Sequence, residues 1–242
     1  TPMQIPQQSP ELLMPAGSFL KLQYAYEYGA DAAYVGVPLF SLRARENEFN
    51  LEELKKSIDL ARSLNKKIYV TANIFARNRK LPSFDKQIHE WVKLKPDALI
   101  MSDPGLIMVV REKFPEIPVH LSVQANCMNW QGVRFWHQKV GVSRVILSRE
   151  LALNEIREIK DKVPEVELEA FVHGAICIAF SGRCLMSSYF SYRDANQGVC
   201  DNSCREKFHI HKAAPQPTGD YFIEDLRNKG EFYQIDEDEN GT

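Results

Sequence analysis

The chain has 242 residues, of which 44% are hydrophobic and 26% charged, and its formal net charge at pH 7 is −2. This length suits one large core or two modest ones, and the near-neutral charge excludes a global basic field of the kind that attracts nucleic acid. No apolar run approaches the ~20 residues of a membrane-spanning helix, and the first ten residues, TPMQIPQQSP, do not resemble a secretory signal. We therefore expect a cytoplasmic protein with reduced thiols.

Seven short apolar segments are predicted to be β-strands. They are rich in Val, Ile, Leu and Tyr and mostly lack polar alternation, which is typical of strands covered on both faces in a parallel sheet. In chain order the predicted strands are Glu11–Met14, Ala32–Val35, Lys67–Ala72, Ala98–Met101, Val119–Val123, Arg144–Leu147 and Val166–Val172.

The segments between these strands are predicted to be helices. In Leu51–Leu64 the apolar residues recur at three- and four-residue steps and cover one helical face. Asn50 is predicted to cap this helix, with Glu53 completing a capping box. Asp103 is predicted to cap the helix after the fourth strand, and a short amphipathic helix is predicted over 154–163.

Seven strand–helix steps in succession predict a TIM-like (β/α) barrel. A doubly wound sheet is the alternative, but no Gly-rich dinucleotide loop follows any strand. Because such a barrel has eight strands, we expect it to be incomplete, with the eighth strand beyond residue 242. The predicted organisation is an N-terminal extension at 1–10, a barrel with a C-terminal cysteine region at 11–211, and a linker and hairpin at 212–242 that continue into a missing C-terminal region.

Four of the five cysteines follow the pattern C-x6-C-x15-C-x3-C, partly within a stretch, 185–210, that is predicted to be irregular. The odd total and the expected reducing compartment argue against a disulfide framework. Structural zinc usually uses paired C-x2–4-C spacings, which only the last spacing fits, whereas iron–sulfur clusters accept wider and uneven spacings. Spacing alone leaves open a metal or cluster site and merely buried thiols. The four cysteines are Cys177, Cys184, Cys200 and Cys204, whereas Cys127 stands apart and is predicted to be a small buried residue.

Catalytic groups of a (β/α) barrel gather at the carboxyl ends of its strands, where this chain has several polar residues. The planar fork of arginine suits carboxylates and phosphates, so we expect arginines there to bind an anion; salt bridges to nearby glutamates are the alternative. The candidate substrate-binding residues are Arg43, Arg45, Asn73, Gln124, Asn126, Arg149 and Arg183. The candidate catalytic residues are His173, a side-chain type suited to moving a proton near neutral pH, and Glu150, although a structural role for His173 stays open.

The stretch EAFVHGAICIAFSGRCLMS, residues 169–187, resembles the signature of the collagenase-like peptidase family of unknown catalytic type. The resemblance extends over nearly the whole chain. It includes ELLMPAG, YGADAAYVG, FSLRARENEFN, PDALIMSDPGLI, HLSVQANCMNW, SRVILSRE and NQGVCDNSCR.

The resemblance is to a branch linked to oxygen-independent, prephenate-dependent hydroxylation of the wobble uridine in tRNA, which gives 5-hydroxyuridine. It therefore implies an RNA-modifying enzyme with the tRNA anticodon loop and a small anionic co-substrate as partners, no membrane, and an electron donor that the resemblance does not identify. Relatives carry a 4Fe–4S cluster on four cysteines, which correspond to Cys177, Cys184, Cys200 and Cys204 in this chain.

Two other functions stay open at the level of sequence. A peptidase is implied by the family name, but the chain has neither H-E-x-x-H nor G-x-S-x-G, and only Ser181 or Ser187 with His173 would supply a hydrolytic pair. A non-enzymatic, cluster-bearing RNA-binding module is the third hypothesis.

Overall fold

The computed structural model describes residues 9–42, 49–174, 176–212 and 221–235. The chain forms two compact units, Thr1–Cys200 and Asp201–Thr242. In the part of the chain that is described, every helix is too short or too polar to cross a membrane.

The first unit is built on a sheet of parallel strands that pair in chain order, each with the next. All seven strands predicted from the sequence are present, with ends that differ by a few residues. The strands are β1 (Leu13–Ala16), β2 (Ala32–Gly36), β3 (Lys67–Ala72), β4 (Ala98–Met101), β5 (Val119–Leu121), β6 (Arg144–Ile146) and β7 (Glu167–Glu169).

Helices follow the strands and cover the outer face of this sheet. The helix α2 (Leu51–Ser63) begins as predicted, because Asn50 Oδ1 accepts a hydrogen bond from Glu53 N at 2.9 Å and Glu53 Oε2 accepts one from Asn50 N at 3.3 Å. Asp103 Oδ1 caps α4 (Pro104–Lys113) by accepting a hydrogen bond from Gly105 N at 2.8 Å. The helices are α1 (Phe19–Glu27), α2 (Leu51–Ser63), α3 (Leu81–Lys93), α4 (Pro104–Lys113), α5 (Trp130–Phe135), α6 (Leu153–Lys162) and α7 (Met186–Ser191).

The alternation of strand residues divides the core into two layers. Val70 and Leu99 point outward and belong to the large cluster between the sheet and the helices. Tyr69, Ile100 and Ile146 point inward and form a smaller cluster on the concave face of the sheet. Side chains buried on both faces explain why the strands are apolar without alternation.

An ion pair shows that the sheet is curled. A flat sheet with strands ~4.8 Å apart would separate β1 from β6, five positions away, by ~24 Å. Yet Arg144 Nη1, at the start of β6, donates to Glu11 Oε1, just before β1, at 2.7 Å. The strands therefore form a curled half-barrel, which confirms the predicted TIM-like architecture. No eighth parallel strand joins β7 to β1 within the described ranges.

The amino ends of the strands are bridged by one arginine and its carboxylates. The side chain of Arg144 is only 10% exposed and contacts Glu11 and Glu167 at 2.7 Å and Glu169 at 3.4 Å. Although burial favours the neutral acid, hydrogen bonds from Arg144, Lys67 and Tyr69 lower the pKa of Glu11 to about 2. Burial raises the pKa of Glu169 to about 7 against the opposing charge of Arg144.

The second unit contains an antiparallel sheet of β8 (Phe208–Lys212), β9 (Tyr221–Asp225) and β10 (Phe232–Ile235), with β9 in the centre. The predicted hairpin is confirmed as β9 and β10. The prediction that 185–210 is irregular was wrong at α7 and at the start of β8. The strand β8 depends on pairing with β9, a long-range contact that the local sequence pattern does not reveal.

Candidate functional site

Hydrogen bonds among polar side chains tie together the carboxyl ends of β3, β4 and β5. Asn73 Oδ1 accepts from Leu42 N, and Asn73 Nδ2 donates to Ser122 Oγ, both at 3.1 Å. Ser102 Oγ donates to the carbonyl oxygen of Asn73, also at 3.1 Å. The side chain of Asn73, predicted to bind substrate, thus helps to fix the positions of the strand ends.

Three polar atoms at the ends of β5 and β6 are buried and have no hydrogen-bond partner among the described residues. They are Asn126 Nδ2, Ser148 Oγ and Arg149 Nε. Ser148 is 3% exposed, and its backbone N–H donates to the carbonyl of Cys127 at 3.2 Å, which joins the two strand ends. Arg149 Nη2 donates to Ser181 Oγ at 2.7 Å. These donors can bind an anion without breaking an existing side-chain hydrogen bond.

Residues 176–200, here called the cysteine segment, approach the strand ends so closely that two positions require glycine. A Cβ atom at Gly182 would lie 2.0 Å from the carbonyl oxygen of Gln124, and one at Gly198 would lie 2.6 Å from that of Ser41. Both glycines also have positive φ, at 74° and 89°. The segment therefore packs directly against the backbone at the ends of the strands.

Cys184 is connected to the barrel through Asn196. Asn196 Nδ2 donates to the carbonyl of Cys184, and Phe75 N, beyond the end of β3, donates to the carbonyl of Asn196, both at 3.2 Å. Asp194 Oδ1 accepts from Asn196 N at 3.0 Å, while Asp194 Oδ2 forms an ion pair with Arg77 Nη2 at 3.0 Å. These contacts fix the backbone of a predicted metal ligand relative to the strand ends.

Basic residues follow β3 at the same end of the barrel. Lys80 Nζ donates to the carbonyls of Leu39 at 3.0 Å and Gln197 at 3.4 Å. Burial, and then the positive charge of Arg79, lower the pKa of Lys80. Arg77 has its ion pair with Asp194 but keeps 63% of its side chain exposed. The positive charge at this edge suits an anionic partner.

The predicted metal ligands have a donor set that fits a cluster. Cys177, Cys184 and Cys200 are partly exposed in the first unit, whereas Cys204 is exposed in the second. Cys177 and Cys184 form no disulfide, and thiolate sulfur is the soft ligand that iron–sulfur clusters require. Cys127 is 4% exposed, and burial raises its pKa to about 11, which confirms the prediction of a buried residue.

The remaining predicted residues are more exposed. His173 and Glu150 are exposed, and neither side chain hydrogen-bonds to a described residue. The Arg183 side chain is exposed, and its Nη1 donates to the carbonyl of Gly182 at 3.3 Å. The half-buried Gln124 contributes the carbonyl beneath Gly182. Arg43 and Arg45 lie outside the described residues.

Several residues of the site were not among those predicted to bind substrate or metal. Ser122 directly follows β5, and Ser148 lies two residues after β6, so a serine just after a buried strand was the available signal. Ser181 and Asn196 carried no such signal, because they belong to the cysteine segment, whose conformation no periodicity predicts.

The chain spans about half the length of several curated relatives that it matches. It is 49% identical to the tRNA hydroxylation protein P of Escherichia coli, over 96% of this chain and 57% of that protein. It is 57% identical to the protein of that name from Haemophilus influenzae, over 87% and 45% respectively. More distant relatives include a collagenase of Porphyromonas gingivalis, 32% identical over 83% of this chain and 50% of that protein. Another is the 23S rRNA 5-hydroxycytidine C2501 synthase of Escherichia coli, which is 34% identical over 81% of this chain and 29% of that protein.

A solved structure and a family model agree with the resemblance described from the sequence motifs. The U32 peptidase Mk0906 has the same fold, with a TM-score of 0.59 at 19% identity over 74% of each chain. The model of peptidase family U32 matches residues 17–242. The chain therefore belongs to peptidase family U32.

Proposed function

We propose that this chain is the barrel-forming part of an enzyme that hydroxylates the wobble uridine of tRNA to 5-hydroxyuridine. The observation that carries the proposal is its 49–57% identity, over 87–96% of its length, to proteins named for tRNA hydroxylation. The relative named as an rRNA hydroxycytidine synthase supports hydroxylation of RNA as the wider reaction class. An anticodon loop suits such a site because its bases are already unpaired.

We assign the small anionic co-substrate, prephenate, to the donors at the ends of β5 and β6. The guanidinium of Arg149 is fixed on one side by Ser181 and keeps its buried Nε for a carboxylate oxygen. Ser148 Oγ and Asn126 Nδ2 add two uncharged donors beside it. In this role Arg149 binds and orients the acid, and the cysteine segment covers the strand ends against water.

A 4Fe–4S cluster on Cys177, Cys184, Cys200 and Cys204 completes the proposal. The cluster would supply electron transfer or bind a substrate oxygen. The chain's own contribution is to anchor Cys184 through Asn196 and to keep the backbone of Gly182 against the strand ends. The basic residues after β3 would contact RNA phosphates, since Arg77 and Arg79 are exposed there.

The same contacts argue against a serine peptidase. Ser181 is 1% exposed, and its Oγ accepts a hydrogen bond from Arg149 instead of lying beside a histidine. His173 is exposed and makes no hydrogen bond to a described residue. An activated serine needs a base within hydrogen-bond reach and access to its substrate, and Ser181 has neither.

The proposal is tested by complementing a strain that lacks the gene encoding this chain. Nucleosides from its tRNA are analysed by mass spectrometry for derivatives of 5-hydroxyuridine. Wild type should restore them, and Arg149→Met should lower them about 10- to 100-fold, because hydrogen bonds to a charged group contribute about 1.5–3 kcal/mol. The matched control is Arg157→Met, an exposed arginine on α6.

Two outcomes would contradict the proposal. If the deletion strain has unchanged levels of these nucleosides, tRNA hydroxylation is excluded as the function of the chain. If Arg149→Met and Arg157→Met restore the nucleosides equally, the co-substrate does not bind at Arg149. The cluster is checked separately by anaerobic purification, since colourless, iron-free protein that still restores the nucleosides would exclude it.

A further inference from the structure

Two histidines and a glutamate lie together on one face of the sheet in the second unit. His209 and His211 are two residues apart on β8, and residues with this spacing point to the same face of a strand. Glu224 on β9 pairs with His209 in the antiparallel register. Directly opposed residues have Cβ atoms ~4.5–5.5 Å apart, so strand pairing itself brings the three side chains together.

The possible ligand atoms are already close to one another. A ring nitrogen of each histidine and a carboxylate oxygen of Glu224 all lie within 4.8 Å of one another. His211 Nε2 and Glu224 Oε2 are 2.9 Å apart. Ligands of a tetrahedral zinc ion with ~2.0–2.1 Å bonds lie ~3.3 Å apart, so binding would require the ligand atoms to approach one another further, mainly by rotation of the exposed His209 side chain.

Contacts around the cluster orient two of its members. Glu224 Oε1 accepts from Gly230 N at 2.9 Å, which leaves Oε2 turned toward His211. The ring of His211 packs edge-on against Phe232, with centroids 5.2 Å apart. The side chain of Glu224 is only 15% exposed and that of His211 is 43% exposed. Hydrogen bonds of this kind to a ligand carboxylate are typical of metal sites, because they fix its orientation.

We infer that His209, His211 and Glu224 form a binding site for a divalent transition-metal ion, with two imidazole nitrogens and one carboxylate oxygen as ligands. Two histidines and a carboxylate are a known ligand set for Zn²⁺, with a fourth position left for water. A His–Glu hydrogen bond uses only one of the two histidines, whereas a metal ion would use a ring nitrogen of each together with the carboxylate. The site contains no cysteine and does not depend on the proposed hydroxylation.

The test is the number of Zn²⁺ ions bound per chain at equilibrium, measured by dialysis and elemental analysis of the purified protein. Because thiolates also bind zinc, the informative quantity is the difference between variants. His209→Ala and Glu224→Gln should each bind one ion fewer than wild type at the same free Zn²⁺, since mutation of even an outer-shell partner typically lowers metal affinity about 10- to 100-fold and a direct ligand contributes more. The control is His89→Ala, an exposed histidine on α3, which should bind as many ions as wild type.

Cobalt gives a second measurement. Wild type should bind one Co²⁺ ion more than His209→Ala. Because the proposed site contains no cysteine, this extra ion should not increase the sulfur-to-cobalt charge-transfer absorption. The inference is overturned if wild type and His209→Ala bind equal numbers of Zn²⁺, which would mean that only the cysteines bind metal. Far-UV circular dichroism checks that the variants keep the secondary structure content of wild type, and His209→Ala changes an exposed side chain.

Discussion

Replacing Arg144 by methionine should destabilise the first unit strongly. The guanidinium is 10% exposed, and the change would remove a buried cation from Glu169 and Glu11, whose side chains are 19% and 20% exposed, although Glu11 keeps its ion pair with Lys67 at 2.8 Å. Glu167 is 64% exposed and should contribute little. Breaking a buried pair on one side costs about 3–5 kcal/mol, which corresponds to a fall in melting temperature of roughly 6–20 °C for a protein of this size.

Urea unfolding followed by tryptophan fluorescence measures this effect in the first unit alone, because all three tryptophans, Trp91, Trp130 and Trp136, belong to it. The control Arg157→Met should change the free energy of unfolding by no more than about 0.5 kcal/mol. Adding Glu169→Gln to Arg144→Met should recover part of the loss above pH 7, where an unpaired Glu169 must either carry a buried charge or take up a proton to avoid it. If Arg144→Met and Arg157→Met unfold at the same urea concentration, the ion cluster does not stabilise the barrel as argued.

Three further predictions concern positions in the same unit. Gly182→Ala should make the cysteine segment far more sensitive to proteolysis, because the new Cβ would lie 2.0 Å from the carbonyl oxygen of Gln124. The control Gly174→Ala should have a smaller effect, because Gly174 also has positive φ but no atom lies near its Cβ position. Similar digestion of the two variants would refute the steric argument. The pKa of Glu169, raised from 4.5 to about 7, means that the folded chain retains a proton which the unfolded chain releases. The stability of wild type relative to Glu169→Gln should therefore fall as pH rises from 4.5 to 7, and a constant difference would contradict this. Iodoacetamide at pH 8 should alkylate Cys177 and Cys184 in the native, iron-free protein but spare Cys127, because Cys127 is buried and its pKa is about 11. Peptide mass spectrometry measures the three rates, and equally fast modification of Cys127 would exclude its burial.

The sequence predicted the parallel strands because their residues are buried on both faces, and this leaves a continuous apolar pattern. It also predicted the start of α2 and of α4, since a capping side chain bonds only to residues two or three positions away. The burial of Cys127 was predicted because this cysteine is distant in sequence from the other four. These features depend on local or strongly periodic patterns, which a single sequence displays.

The contacts of the cysteine segment could not be predicted in the same way. The requirement for glycine at 182 comes from a carbonyl 58 positions earlier in the chain, at Gln124. The pairing of Arg144 with Glu11 likewise joins residues 133 positions apart. Such contacts arise only once the sheet has curled, and the residues that make them carry no local signal. The proximity of His209 and Glu224 is likewise a long-range contact, because it arises from the pairing of β8 with β9.

The curled sheet leaves β1 and β7 as its outermost strands within the described ranges, each paired with one neighbour. An unprotected outer strand can recruit the strands of other molecules and polymerise. Here β1 carries Pro15, which has no amide hydrogen to donate, and β7 carries the exposed charge of Glu167. The residues at these two edges therefore discourage strand pairing between copies of the chain.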